Sequence, residues 1–174
     1  MAVPGEEQVG FNQSRPWTFP NGTALVQTLS VEQEDHRGLA KLFRVETRVL
    51  LRQQNEWVGY SYRWNEAQTD AQLAVVGARI DLTTPAGQAI SYRVPNKNQC
   101  KGCHALSGEI VPLGPKARNL NRDYDYPEGP HNQLAFWSDA GALSGAPAPE
   151  DAPSVPDSRD ETAPLEARAR AWLD

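Results

Sequence analysis

One stretch of the chain, residues 42–52, restricts the possible folds most, because charged and apolar side chains alternate along it. One set of alternate positions is mostly apolar: Phe43, Val45, Thr47, Val49 and Leu51. The other set carries most of the charge: Arg44, Glu46, Arg48 and Arg52. A period of two is the period of a β-strand, whereas a helix would scatter the arginines around its whole surface. We therefore predict a strand here, and with it a fold that contains a sheet.

A second alternating segment follows the short polar connection at residues 53–55. Its larger side chains fall on one side: Val58, Tyr60, Tyr62 and Trp64. The short connection predicts that the two segments pair as an antiparallel hairpin. We expect the aromatic stripe to pack in the core of the sheet rather than to line a cofactor. Further strand candidates predict an antiparallel sheet or small sandwich over residues 17–95: 23–31, 73–76, 78–83 and 88–94.

Composition and charge exclude two classes of protein. The 174 residues are 39% hydrophobic and carry a formal net charge of −5. No run approaches the ~20 consecutive apolar residues that a membrane-spanning helix needs. The acidic balance and the absence of a basic run make nucleic acid a poor partner.

The segment that carries chemistry is Asn98–His104, in which Cys100, Cys103 and His104 form the pattern Cys-x-x-Cys-His. This pattern is the attachment signature of a c-type haem. On a helical turn the two sulfurs lie on one side, where each can form a thioether with a haem vinyl group. His104 is then placed as the proximal iron ligand, and Gly102 leaves room for the porphyrin. We therefore predict one covalent haem c.

Two other interpretations of the motif are weaker. A zinc site built from these residues lacks an obvious fourth ligand, and the adjacent Cys103 and His104 cannot both point comfortably at one tetrahedral ion. A thioredoxin-like redox pair needs a βαβ context, which the preceding strands do not supply.

The sixth iron ligand is left open by the sequence. The only methionine is Met1, so the His/Met ligation of many small cytochromes is essentially unavailable. The weak candidates are His131 and His36, besides a tyrosine or a lysine such as Lys97 or Lys116. Both histidines lie in polar segments, where a solvated imidazole is the common outcome.

The run Tyr92–His104, continued by Pro112–Asn121, resembles a family of bacterial diheme c-type cytochromes. Three further segments fit that family: Phe19–Val26, Glu56–Tyr60 and Trp64–Asp70. The resemblance covers about residues 17–145. It implies that this first haem domain is followed by a second Cys-x-x-Cys-His domain, introduced by a helix similar to Leu165–Asp174. We expect that second domain to lie beyond residue 174.

The chain also resembles, more loosely, the β-sheet c-haem cytochromes, which include cytochrome c′-beta and the hydroxylamine-oxidising cytochromes. The strand entry Phe19–Thr23 and the late position of the motif after a sheet carry this likeness. It implies a haem held against an antiparallel sheet. Some members have an open distal face that binds nitric oxide or oxidises hydroxylamine, and the catalytic ones use a porphyrin–lysine crosslink. No lysine of this sequence could be matched to that crosslink.

Shifts in composition predict the organisation of the chain. We expect an irregular N-terminal lead-in (1–16), a c-type haem domain (17–145), a linker rich in Pro, Ala and Asp (146–160) and a terminal helix (161–174) that begins a second cytochrome domain. The predicted fold class is mainly β (α+β): an antiparallel sheet or small sandwich with a short helical haem-attachment segment and C-terminal helices. Because haem c is attached outside the cytoplasm, we expect a periplasmic protein whose signal peptide has been removed.

Three functions are compatible with these features. Electron transfer is favoured, since it needs only a covalently held iron and partial haem exposure; its partner would be a redox protein or the second haem domain. The alternative is a haem enzyme or gas-binding protein with an open distal site for nitric oxide or hydroxylamine chemistry. Its acid–base candidates rest on proximity to the motif alone: Asp123, Asp125, Glu109 and His131. An interaction module without haem, which would use the aromatic sheet face, is least favoured.

Overall fold

The structure is a computed structural model that describes residues 1–34 and 39–173. Its strands in chain order are β1 (Val9–Gly10), β2 (Ala24–Glu34), β3 (Ala40–Gln53), β4 (Glu56–Trp64), β5 (Ala71–Leu73), β6 (Ala78–Thr83), β7 (Ala89–Val94), β8 (Ala105–Leu106), β9 (Glu109–Ile110), β10 (Asp123–Tyr126), β11 (Gly129–Asn132) and β12 (Leu143–Ser144). Its α-helices are α1 (Lys97–His104), α2 (Ala117–Leu120), α3 (Gln133–Asp139) and α4 (Leu165–Leu173), and a 3₁₀ turn covers Pro149–Asp151. The predicted mainly β fold with antiparallel sheets and a C-terminal helix is confirmed.

The chain forms two compact units. The first contains Met1–Ala2 and Asn21–Val111, and the second contains Val3–Pro20 and Pro112–Asp174. In the described ranges, no helix combines the length and the apolar character needed to cross a membrane.

A four-stranded antiparallel sheet, in the order β2-β3-β4-β5, forms the centre of the first unit. The predicted hairpin between β3 and β4 is confirmed, with Gln53 opposite Glu56. The two residues between them, Gln54 and Asn55, have positive φ angles of 50° and 63°. Two central residues with positive φ give a tight turn whose twist matches that of the flanking strands.

A β-bulge interrupts the alternation that the sequence predicts for β3. Leu29 of β2 lies opposite Glu46, but the next residue, Ser30, lies opposite Arg44. Val45 is therefore the extra residue, and both Val45 and Glu46 are buried. The strict two-residue alternation predicted along this strand is wrong at Val45, because a bulge shifts the faces of the residues that precede it.

The loop between β4 and β5 completes the sheet beside the bulge. The side chain of Gln68 accepts a hydrogen bond from the backbone nitrogen of Arg44 (2.7 Å) and donates one to its carbonyl oxygen (3.0 Å). The guanidinium carbon of Arg44 lies 3.8 Å from the ring centroid of Trp64. The side-chain amide of Gln68 thus makes the two backbone hydrogen bonds that a neighbouring strand would make to Arg44.

The buried face of β4 is not the one that the sequence predicts. Its buried residues are Trp57, Gly59 and Ser61, whereas Tyr60 and Tyr62 on the opposite face are only half-buried. The expectation that Tyr60 and Tyr62 pack in the core is therefore wrong, because the opposite face of β4 is the buried one. Helix α1 and strand β9 pack against β4, and small residues at alternate positions of β4 leave room for them.

The predicted strand at residues 73–76 is also wrong, since β5 ends at Leu73. A turn follows, in which the N–H of Gly77 donates to the carbonyl oxygen of Ala74 (3.0 Å). Gly77 has a φ of +80°, and a Cβ there would lie 2.7 Å from the carbonyl oxygen of Val94. Only glycine fits both the conformation and the space, so the chain turns here and then enters the confirmed hairpin of β6 and β7.

In the second unit, β1 pairs with β12 in parallel, and β10 pairs with β11 as a hairpin. Its buried apolar side chains are Val9, Trp17, Phe19, Ala117, Leu134 and Leu143. Residues 1–16, expected to be irregular, thus supply a short strand and a fully buried valine. The hairpin lies in a polar segment where the sequence shows no periodicity.

Hydrogen bonds from Asn121 hold the first part of the predicted linker. Its side-chain nitrogen donates to the carbonyl oxygens of Pro149 (2.8 Å) and Ala152 (3.0 Å), and its side-chain oxygen accepts from Asn132 (2.8 Å). The Asn132 side chain also caps the N-terminus of α3. One buried asparagine therefore joins the hairpin, α3 and residues 149–152 of this unit.

Candidate haem-attachment site

Helix α1, which carries the Cys-x-x-Cys-His motif, begins with a capping box. The side chain of Asn96 accepts hydrogen bonds from the backbone nitrogens of Asn98 (3.1 Å) and Gln99 (3.0 Å). In return, the Gln99 side chain accepts from the backbone nitrogen of Asn96 (2.9 Å). The preceding Pro95 disfavours a helical conformation for Val94, so β7 ends where the cap begins. This reciprocal cap defines the first residue of the helix, and the predicted short helix is confirmed.

Cys100 is the half-buried member of the motif and contacts the sheet. An added Cβ at Gly59 of β4 would lie 3.2 Å from the Sγ of Cys100 and 3.4 Å from its Cβ. The sulfur thus occupies the space that a side chain at position 59 would fill. Burial raises the pKa of the Cys100 thiol, against a smaller effect of Arg48 that lowers it. The thiol is therefore protonated at neutral pH.

Cys103 and Gly102 border open space. Cys103 is exposed, and an added Cβ at Gly102 would meet nothing within 4 Å. Cys100 and Cys103 stand three residues apart on one helix, which puts both thiols on the same side. The two thiols therefore share a helix face on which Cys100 lies against β4 and Cys103 is exposed.

His104, the last residue of α1, is fixed by the strand that follows. Its Nδ1 lies 3.1 Å from the carbonyl oxygen of Val111, and the N–H of Val111 donates to the carbonyl oxygen of His104 (2.7 Å). Because a carbonyl only accepts, Nδ1 donates in this contact, and in the neutral imidazole Nε2 is then the nitrogen with the lone pair. This is the arrangement in which a metal-ligating imidazole is oriented by its second nitrogen.

The residue types of the motif fit a covalent haem. Two thiols three residues apart on one helix and an imidazole that follows them are the side chains that haem c uses, and of these only the imidazole would bind the iron. Within residues 1–34 and 39–173, no three His, Cys, Asp or Glu side chains are grouped so that they could hold a metal ion.

A buried polar cluster lies beside the motif and was missed from the sequence. Glu46 is fully buried and makes a two-point ion pair with Arg48, at 2.9 and 3.0 Å. The hydroxyl of Tyr92 donates to the same carboxylate at 2.5 Å. We call these three residues the Glu46 cluster. The sequence shows two opposite charges, Glu46 and Arg48, two residues apart on one face of β3.

The candidate distal ligands that the structure describes belong to both units. His131 is an exposed residue of β11 in the second unit, with its ring centroid 5.8 Å from that of Phe136. His36 lies outside the described residues. Lys97 is exposed on α1, and Lys116 precedes α2 in the second unit. The identity of the distal ligand stays a prediction.

The acid–base candidates are likewise spread over both units. Glu109 is an exposed residue of β9 in the first unit, whereas Asp123 and Asp125 are exposed on β10 in the second. The structure gives none of the three a role in catalysis.

Comparison with known proteins found no match for this chain among protein-family models, curated proteins or solved structures.

Proposed function

We propose that this chain is a c-type cytochrome that holds one haem through thioethers at Cys100 and Cys103, with His104 as proximal ligand, and that it transfers electrons. The observation that carries the proposal is the contact between Nδ1 of His104 and the carbonyl oxygen of Val111, at 3.1 Å. In the neutral imidazole that contact directs the proton to Nδ1 and the lone pair to Nε2, at the end of the helix that carries both thiols, and an iron ligand needs that lone pair.

Each motif residue has a separate task in this proposal. Cys100 would form one thioether from the place beside β4 where Gly59 leaves space for its sulfur. Cys103 supplies the second thioether on the open side of α1, and His104 supplies Nε2. When bound, the haem iron supplies the one-electron chemistry. The remaining residues of α1 keep the three groups in a fixed order through the cap at Asn96.

Location and partners belong to the same proposal. Attachment of haem c requires maturation outside the cytoplasm, so we propose a periplasmic protein. Its partner is a redox protein or the second haem domain implied by the resemblance to diheme cytochromes. Electron transfer needs no acid–base group beside the iron, and the Glu46 cluster beside Cys100 is already internally paired.

The test is expression together with haem-maturation enzymes, followed by intact mass and a pyridine haemochrome spectrum. We expect the added mass of one porphyrin and a spectrum typical of two thioethers. Cys100→Ala and Cys103→Ala should each retain less haem, and His104→Ala should lose the normal proximal ligation. Lys101→Ala, an exposed position on the same helix, is the matched control. A colourless protein with the bare polypeptide mass would overturn the proposal.

The absorption spectrum separates electron transfer from the alternative. A low-spin spectrum that cyanide and nitric oxide leave unchanged supports a six-coordinate electron carrier. A high-spin iron that binds these ligands, with turnover of hydroxylamine, would replace electron transfer by the haem-enzyme function.

A further inference from the structure

The Glu46 cluster is closed on itself and buried. Both carboxylate oxygens of Glu46 bond to Arg48, and one of them also accepts from the Tyr92 hydroxyl. The Glu46 side chain is completely shielded from solvent, whereas that of Arg48 keeps 37% of its exposure. A buried charge pair of this kind contributes little net stability, because desolvation offsets the attraction and apolar residues would serve as well. Its presence beside the motif therefore calls for another role.

The register of the sheet places this cluster next to Cys100. Gly59, on which the Cys100 sulfur rests, lies opposite Leu50, and the neighbouring pair on the same face is Ser61 opposite Arg48. Side chains two residues apart on a strand point to the same face and are about 7 Å apart. The guanidinium and the sulfur are therefore successive groups on the inner face of the sheet.

Both charges act on the Cys100 sulfur. Burial is the largest influence on the pKa of this thiol and raises it, while Arg48 lowers the pKa and Glu46 raises it. Tyr92 stays neutral, because burial and its hydrogen bond to Glu46 raise its pKa to about 12. At neutral pH the cluster thus contains the negative charge of Glu46 and the positive charge of Arg48, and its net charge is zero.

We infer that Glu46 and Arg48 set the reduction potential of a haem attached at Cys100, each by its own charge. The inference rests on the proposed function. A thioether fixes the Cys100 sulfur to the porphyrin edge, so the charges beside that sulfur act on the iron across a poorly screening interior. The ferric state has one more positive charge than the ferrous state. Glu46 therefore favours the ferric state and Arg48 the ferrous state.

The experiment is a redox titration of the haem-loaded protein and of charge variants. Glu46→Gln removes the negative charge and should shift the midpoint to more positive potential. We expect a change of roughly tenfold in the ferrous-to-ferric ratio at fixed potential, or ~59 mV for one electron. Arg48→Met removes the positive charge and should shift the midpoint to more negative potential. The double variant should return close to the wild-type value.

Two further variants separate charge from structure. Tyr92→Phe removes a hydrogen bond without changing charge, and Arg48→Lys keeps the charge, so both should stay near the wild-type potential. If Glu46→Gln does not load haem, the test is the comparison of the other two variants: Arg48→Met should shift the midpoint potential and Arg48→Lys should not.

Shifts of both single variants in the same direction, or normally loaded variants with unchanged potentials, would overturn the inference and leave the proposed function standing. A wild-type protein without haem would instead overturn the proposed function, and the inference with it.

Discussion

The carbonyl oxygen of Val111 lies 3.1 Å from Nδ1 of His104, seven residues earlier in the chain. The short pairing of β8 with β9 brings the two together, with Ala105 opposite Ile110. The orientation of the imidazole is thus a property of the polypeptide, present before any group is attached to the helix.

From this contact we predict that neutral His104 in the haem-free protein is the Nδ1–H tautomer. A carbonyl oxygen accepts a hydrogen bond only from a protonated nitrogen, so the other tautomer would lose this bond. Nitrogen chemical shifts of ¹⁵N-labelled histidine report the tautomer directly. The exposed His131 of β11 serves as the reference. A predominantly Nε2–H signal from His104 would contradict the assignment.

Gly59→Ala should lower the free energy of unfolding by about 1–3 kcal/mol, the usual cost of overpacking a tight site. The new methyl would lie 3.2 Å from the Cys100 sulfur, closer than an ordinary contact, so the sulfur would have to move. Urea denaturation of the haem-free protein measures the change. Gly102→Ala is the matched control, since its methyl enters open space, and alanine should stabilise the helix by about 0.5–1 kcal/mol. Equal effects of the two substitutions would show that Gly59 is not a tight site.

The two cysteines of the haem-free protein should react with iodoacetamide at different rates. Cys103 is exposed, whereas burial covers Cys100 and raises the pKa of its thiol. A raised pKa leaves less thiolate, the reactive form. We expect Cys103 to be alkylated at least about tenfold faster near pH 8. Mass spectrometry of Cys100→Ser and Cys103→Ser gives each rate separately, and equal rates would refute the packing of Cys100 against the sheet.

Alkaline pH should destabilise the fold through Tyr92. Its pKa rises from 10.0 to about 12 in the folded protein, first through burial and then through the bond to Glu46. A group with a raised folded pKa contributes its full stability below the unfolded pKa and loses it as pH rises through the folded one. Stability should therefore fall between about pH 10 and pH 12, as urea titrations at several pH values would show.

Tyr92→Phe should flatten that fall, whereas Tyr124→Phe at an exposed position should leave it unchanged. If both variants lose stability with pH as the wild type does, another group is responsible.

Local rules were sufficient to predict several elements from the sequence. The alternation of β3 and β4, joined by two turn residues, defines their hairpin. The motif defines the extent of α1. What these rules could not predict depends on pairing between distant segments. The bulge at Val45 arises from the register with β2, and the hairpin β10–β11 is formed by polar residues that have no period.

The candidate site divides in the same way. Cys100, Cys103 and His104 are readable from their spacing alone. Val111 contributes only a backbone carbonyl, which no side-chain pattern can reveal. The Glu46 cluster could not be predicted, because the alternation places Glu46 and Arg48 on one face but does not show that Tyr92 of β7 meets them. Here the bulge and β7 bring a carboxylate, a guanidinium and a phenol together in the interior, where each satisfies the others.

The cap formed by Asn96 and Gln99 has a consequence for biogenesis. Since these two side chains define the first turn by themselves, the cysteines are presented at a set separation before maturation begins. A ligating enzyme would meet a preformed helix rather than a fluctuating loop. Because the segment is already ordered, attachment of the cofactor would lose less conformational entropy.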